Sequence, residues 1–172
     1  MYEYVEGGET IRSIVPELDS GFQFRPGCSL RKSSTTERRY KRRLDILLRH
    51  NDIQYALYQY LLSLYGVENV GAEVVTGEGQ KIDIVVRDGN FFIFYEIKTS
   101  SCIRVCIREA LSQLLEYSFW SDDERATRLV IVTENDSTEN AAKYLAKLRD
   151  RFGLPIYHQK FDVQRNVLEE PW

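Results

Sequence analysis

Lys81-Ile82-Asp83-Ile84-Val85-Val86-Arg87-Asp88-Gly89-Asn90-Phe91-Phe92-Ile93-Phe94-Tyr95-Glu96-Ile97-Lys98 decides the architecture. Lys81 to Arg87 alternates around Ile82, Ile84 and Val86, the pattern of a strand. Phe91 to Lys98 is apolar on both faces, as expected of a central buried strand. Asp88-Gly89-Asn90 joins the two as a tight hairpin. Glu96 and Lys98 are two apart, so they share a face about 7 Å apart along the strand. With Gly89-Asn90 as the turn, Asp88 pairs with Phe91 and Asp83 faces Glu96. With Asp88-Gly89 as the turn, Asp83 faces Phe94 and parity is unchanged. A three-residue loop would move Asp83 to the other face.

Two carboxylates directly opposite lie about 5 Å apart at Cβ. They repel by roughly 3 kcal/mol at an effective dielectric of 20. Ile82, Ile84, Phe94 and Ile97 restrict their access to water. A hard divalent cation resolves this conflict, because Mg²⁺ takes carboxylate oxygens, a carbonyl and waters. Asp83, Glu96 and the carbonyl of Ile97 are the candidate ligands. Lys98 beside them can orient water or stabilise a phosphate. A charged group at the end of a Phe-rich central strand is costly unless it is used.

Outward from the hairpin, Val70 to Val75 reads as a preceding strand. Asn51 or Asp52 is read as capping a helix with the apolar stripe Ile53, Leu57, Tyr60, Leu61 and Leu64, ended by Gly66. After the hairpin, a helix over Ile103 to Phe119 buries Ile103, Ile107, Leu111, Leu114 and Ser118. Leu129 to Thr133 is a strand. Asp136, with Glu139 in a capping-box-like pair, starts a helix that Gly153 stops. Leu154 to His158 is the last strand. The order αβββαβαβ predicts an α/β fold, with a mixed central sheet flanked by helices. The chain divides into a loop-rich arm over 1–36, a basic helical segment over 37–50, a core over 51–160 and a tail over 161–172.

The net charge of −3 hides an asymmetry. Residues 25–49 carry nine basic and two acidic side chains, near +7, which leaves about −10 for the rest. Such a block in an acidic chain predicts a polyanion partner. Arg38, Arg39, Arg42 and Arg43 on one helical segment are the candidate phosphate contacts. Three cysteines do not make a disulfide framework, and Cys102 and Cys106 read as two thiols near a helix start. No stretch approaches a membrane span, and no secretory leader pattern opens the chain, so a cytoplasmic setting is expected.

Asp83, a spacer, then Glu96-Ile97-Lys98 resembles the PD-(D/E)xK nuclease superfamily, as does the order of elements over about 51–158. Gln113-Leu-Leu-Glu-Tyr117 is similar to the QxxxY motif of RecB-like members. The resemblance implies a restriction-endonuclease-like three-layer core over 51–160. It also implies a divalent-metal-dependent nuclease, with Mg²⁺ as cofactor and Mn²⁺ as substitute. Asp83, Glu96, Lys98, Gln113 and Tyr117 would be its catalytic residues. DNA is the expected substrate and RNA stays open; restriction, phage defence or repair are the natural settings. Work as a homodimer or in a larger nuclease complex fits the same resemblance. Arg104 and Arg108, one turn apart, are candidates for further phosphate contacts near the site. Many members carry a glutamate on the first core helix; this chain offers Asp52 and Gln54 there, with Glu73 on the first strand as a substitute. That departure keeps a second reading open, a catalytically silent nuclease-fold module that binds nucleic acid.

Overall fold

The computed structural model describes residues 27, 41–77, 79–120 and 126–172. Among them three α-helices, one 3-10 turn (Val67–Asn69) and six strands occur, the helices and strands in the order α1 (Lys41–Tyr65), β1 (Val70–Val75), β2 (Lys81–Asp88), β3 (Phe91–Ile97), α2 (Ile103–Phe119), β4 (Ala126–Thr133), α3 (Glu139–Phe152), β5 (Ile156–Asp162) and β6 (Val167–Leu168). The arm over 1–36 lies outside the described residues except Gly27, which bridges in parallel to Gly71. Arg38 and Arg39 also lie outside them; Arg42 and Arg43 fall on the first turn of α1.

The sheet runs β1-β2-β3-β4-β5-β6. The β1–β2 and β2–β3 pairs are antiparallel, β3–β4 and β4–β5 are parallel, and β5–β6 is antiparallel. Asp88 pairs with Phe91, so Gly89-Asn90 is the two-residue turn. Gly89 takes a φ of 62°, which this tight turn requires and which glycine adopts without steric cost.

Each sheet face buries its own core. On one side Ile53, Leu57 and Leu61 of α1 pack over Ile84, Tyr95 and Ile97. On the other, Ile107 and Leu114 of α2 and Leu145 of α3 pack over Phe94, Leu129 and Ile131. The result is the expected α/β architecture, a mixed sheet between helices. Burial of one such aliphatic side chain contributes roughly 1.5–3 kcal/mol. Among the described residues no helix is long and apolar enough to cross a membrane.

Three local expectations are corrected. Helix α1 runs without a break through Asn51 and Asp52, which therefore cap nothing. No Gly or Pro interrupts 41–65, and a polar residue inside a helix costs less than nucleating a new one. The boundary placed at 50/51 thus falls inside one helix. Helix α3 starts two residues later than expected: the Thr138 side chain accepts the Ala141 N–H, while Asp136 pairs with Lys160. Strand β5 continues to Asp162, so the segment read as a tail belongs to the sheet. Glu169 N–H donates to the Lys160 carbonyl at 2.9 Å, and His158 and Trp172 exchange two 3.1 Å backbone hydrogen bonds. These bonds cover an edge that would otherwise be open to pairing with another chain.

That edge buries His158 completely. Its Nε2 meets Thr133 Oγ1 at 2.8 Å, its Nδ1 has no partner among the described residues, and the Trp172 ring lies 4.3 Å away. Burial holds its pKa down at about 4, below the ordinary 6.5. A lowered folded-state pKa means that the unfolded chain binds more protons below pH 6.5, so stability falls with pH in that range. Between pH 7.5 and 5 this group should remove about 2 kcal/mol. Urea unfolding of wild type and His158→Gln at both pH values checks this. The wild type should lose about 2 kcal/mol more than the variant; equal losses would show that His158 does not titrate this way.

Candidate active site

Asp83 and Glu96 come together at the open end of the hairpin. The pairs Asp88↔Phe91 and Ile84↔Tyr95 put Asp83 and Glu96 next in register. The regular alternation fails at Asp83. Ile84 packs in the core under α1, yet Ile82, two residues away, packs in the opposite core. Ala72 and Val74 on β1 divide in the same way. Between them Glu73 has a φ of 51°, a left-handed conformation that a residue with a Cβ rarely adopts. The β1–β2 ribbon therefore turns over at Glu73 and Asp83. Backbone strain of this kind is maintained only where the surroundings enforce it, and it clusters at functional sites.

The turnover lets Asp83 reach two layers. Its Oδ2 accepts the Ile97 N–H at 2.8 Å and lies 3.1 Å from His50 Nε2. Its carbonyl accepts from Gln54 Nε2 at 2.9 Å. Gln54 is buried, and with His50 one turn earlier it fixes Asp83 from α1. Of Gln54 and Glu73, Gln54 thus touches the site. Glu73 instead accepts from Lys81 Nζ at 3.0 Å. His50 was not among the sequence candidates. Its signal was the four-residue spacing to Gln54, hidden by the expected helix break at Asn51.

Glu96 is 3% exposed. Its Oε1 accepts from Lys98 Nζ at 2.8 Å, and its Oε2 is buried with no partner among the described residues. Burial, and then the charge of Asp83, push the Glu96 carboxyl up to about 7. Burial pulls the His50 ring down, but the hydrogen bond and charge of Asp83 outweigh it, and its pKa is raised. From α2, Gln113 Nε2 donates to Tyr117 Oη at 3.2 Å. Burial and the charge of Glu96 push the Tyr117 hydroxyl up to about 12. Gln113 and Tyr117 are therefore joined to each other, and Tyr117 lies within the field of the carboxylates.

A cleft of about 990 Å³ opens beside this cluster, lined by Arg49, His50, Ile97, Lys98, Ser100 and Val105 among others. It sits where the parallel strand β3 ends, the usual place for a ligand in an open α/β sheet. Arg104 and Arg108 line a different groove, with Ile107, Asn140 and Tyr144 between α2 and α3. Val105 and Glu109 are the α2 residues on the cleft, so the two arginines are not its lining. Among the described residues no three His, Cys, Asp or Glu side chains converge as a ready metal cage. No family model matches the chain, and no curated protein matches it.

The Gln113–Tyr117 pair yields one expected result. Gln113 is half-buried at the edge of the apolar stripe of α2, so Gln113→Ala should change stability by less than about 1 kcal/mol. If the cluster is catalytic, its activity should fall much further, because Tyr117 loses the amide that orients it. Thermal melting run beside an activity assay separates the two effects; parallel losses would make Gln113 a residue of the fold.

Proposed function

We propose that the chain is a divalent-metal-dependent nuclease of the PD-(D/E)xK class that hydrolyses phosphodiester bonds, DNA before RNA. The observation that carries this reading is the buried Glu96 beside the part-buried Asp83, with Glu96 Oε2 unpartnered among the described residues and Lys98 at the wall of an open cleft. An unpaired buried carboxylate oxygen is costly, and a cation removes that cost. The donor set is hard: carboxylate oxygens of Asp83 and Glu96 and the Ile97 carbonyl, with the His50 imidazole adjacent. Such donors suit Mg²⁺ or Mn²⁺.

A bound Mg²⁺ would supply Lewis-acid polarisation of the phosphate and a water acidified for attack. The chain's own residues do the rest. Gln54 and the Ile97 N–H fix Asp83 at its carbonyl and its carboxylate. His50 holds a proton at Nε2 against Asp83 Oδ2, which limits carboxylate repulsion before a cation enters. Lys98 Nζ, held by Glu96 Oε1, places a positive charge where a phosphate in the cleft gathers negative charge.

The second reading, a nucleic-acid-binding module without turnover, is favoured by two observations: Lys98 already occupies Glu96 Oε1, and no preformed three-residue cage stands among the described residues. Incubation with duplex, single-stranded and modified DNA in Mg²⁺ or Mn²⁺ separates the two readings. Metal-dependent cutting that EDTA stops is the result expected of the enzyme. Metal-independent binding without cutting is the result expected of the module.

A further inference from the structure

Among the side chains that line the cleft, Arg49 and Lys98 carry the fixed positive charges. Lys98 is 17% exposed and committed to Glu96. Arg49, one residue before His50, is 42% exposed. Its guanidinium makes a two-pronged contact with Glu134, Nε to Oε2 at 2.8 Å and the second prong to Oε1. Glu134 reaches it from the end of β4, 85 residues away in sequence. A carboxylate in this fork has the shape and charge of two oxygens of a phosphodiester, and arginine binds both groups in the same bidentate manner. Ion pairs this exposed hold weakly, so a phosphate arriving in the cleft can compete.

We propose that Arg49 is a phosphate-binding residue of the cleft, and that Glu134 occupies its guanidinium until a nucleic-acid phosphate exchanges with it. The proposal rests on the reading that the cleft takes nucleic acid. It gives Arg49 a role apart from the basic run that precedes it, and it gives Glu134 one that weakens binding. Exchange transfers the guanidinium from carboxylate to phosphate without leaving it unpaired, and it breaks the side-chain tie between α1 and Glu134 just past β4. A wrong or weak polyanion must displace Glu134 first, which raises the threshold for occupancy of the site.

The test is a double-mutant cycle on the full chain, read as anisotropy of a labelled oligonucleotide duplex against salt, with EDTA present. Arg49→Ala should weaken binding by several-fold to about tenfold and flatten the log–log salt slope by about 0.9. Arg49→Lys should recover the slope but not the full affinity, because the charge returns without the fork. Glu134→Gln should tighten binding several-fold in wild type and change nothing in the Arg49→Ala background. Equal tightening in both backgrounds would show that Glu134 acts only as a general negative charge and would overturn the exchange. Unchanged affinity in Arg49→Ala, with an unchanged melting temperature, would overturn the phosphate role. If Arg49→Ala does not fold, Arg49→Gln takes its place in the cycle. Metal-dependent cutting by wild type together with a flat cycle removes Arg49 and leaves the nuclease reading. An intact cycle with no cutting removes the nuclease reading and leaves Arg49 as a phosphate site.

Discussion

Asp83→Asn should cut more slowly than wild type by at least about 100-fold, a loss of the size that follows removal of one charge-stabilising group. The substitution keeps the side chain's shape and the acceptor for the Ile97 N–H, so the hairpin should persist. What disappears is one of two neighbouring negative charges, and, if Asp83 is a ligand as proposed, the affinity for a divalent cation with it. Binding of nucleic acid without metal should hold or tighten, because less negative charge meets the phosphate. Lys98→Ala should fail differently. Both carboxylates remain, so metal should still bind, but the chemical step should be lost. Calorimetry with Mn²⁺, gel-shift binding and single-turnover cleavage on the two variants distinguish the roles. Uptake of metal by Asp83→Asn equal to that of wild type would remove Asp83 from the ligand set.

Glu96→Gln should make the metal-free chain more stable at pH 8, by on the order of 1–3 kcal/mol, while abolishing cleavage. Glu96 is buried, and its carboxyl is held up to about 7, above the ordinary 4.5. A raised folded-state pKa means that the folded chain keeps a proton which the unfolded chain has lost. The wild type is thus at a relative disadvantage that begins above pH 4.5 and is complete above about pH 7. The neutral amide is free of that disadvantage, so its gain should be full at pH 8 and fade towards pH 4.5. Guanidinium unfolding of both proteins across this range, with EDTA present, measures the difference. A Glu96→Gln variant less stable than wild type at pH 8 would mean that the ion pair with Lys98 outweighs burial and Asp83.

Both predictions depend on a geometry that was partly legible in the residues. The hairpin was readable because Gly89-Asn90 sits between two β-branched and aromatic runs, and the two-residue turn fixes which side chains oppose. Helix α2 was readable because its apolar residues recur at helical spacing, and Gly153, with a φ of 65°, marks the end of α3 as expected. The turnover at Asp83 was not readable. It depends on Glu73 adopting a positive φ, and glutamate carries no local preference for that conformation. His50 was missed for a related reason. Asn51 and Asp52 resemble a helix start in isolation, but packing of Ile53, Leu57 and Leu61 carries one helix through them. The final strand pair was hidden because Tyr157-His158-Gln159-Lys160-Phe161-Asp162 alternates weakly, and its partner is held mainly by backbone bonds around Lys160 and Trp172. Arg49 was counted in the basic run, but its pairing with Glu134 joins elements that only the fold brings together.

A titration of wild-type protein with Mn²⁺, read in parallel by calorimetric uptake and by cleavage of labelled DNA, tests the central claim most directly. If Asp83 and Glu96 hold the catalytic cation, heat and cutting should rise together and reach half-maximum at the same Mn²⁺ concentration, with both signals absent in Asp83→Asn. Wild-type protein that takes up no Mn²⁺, or that cuts at an unchanged rate in excess EDTA, would contradict the claim.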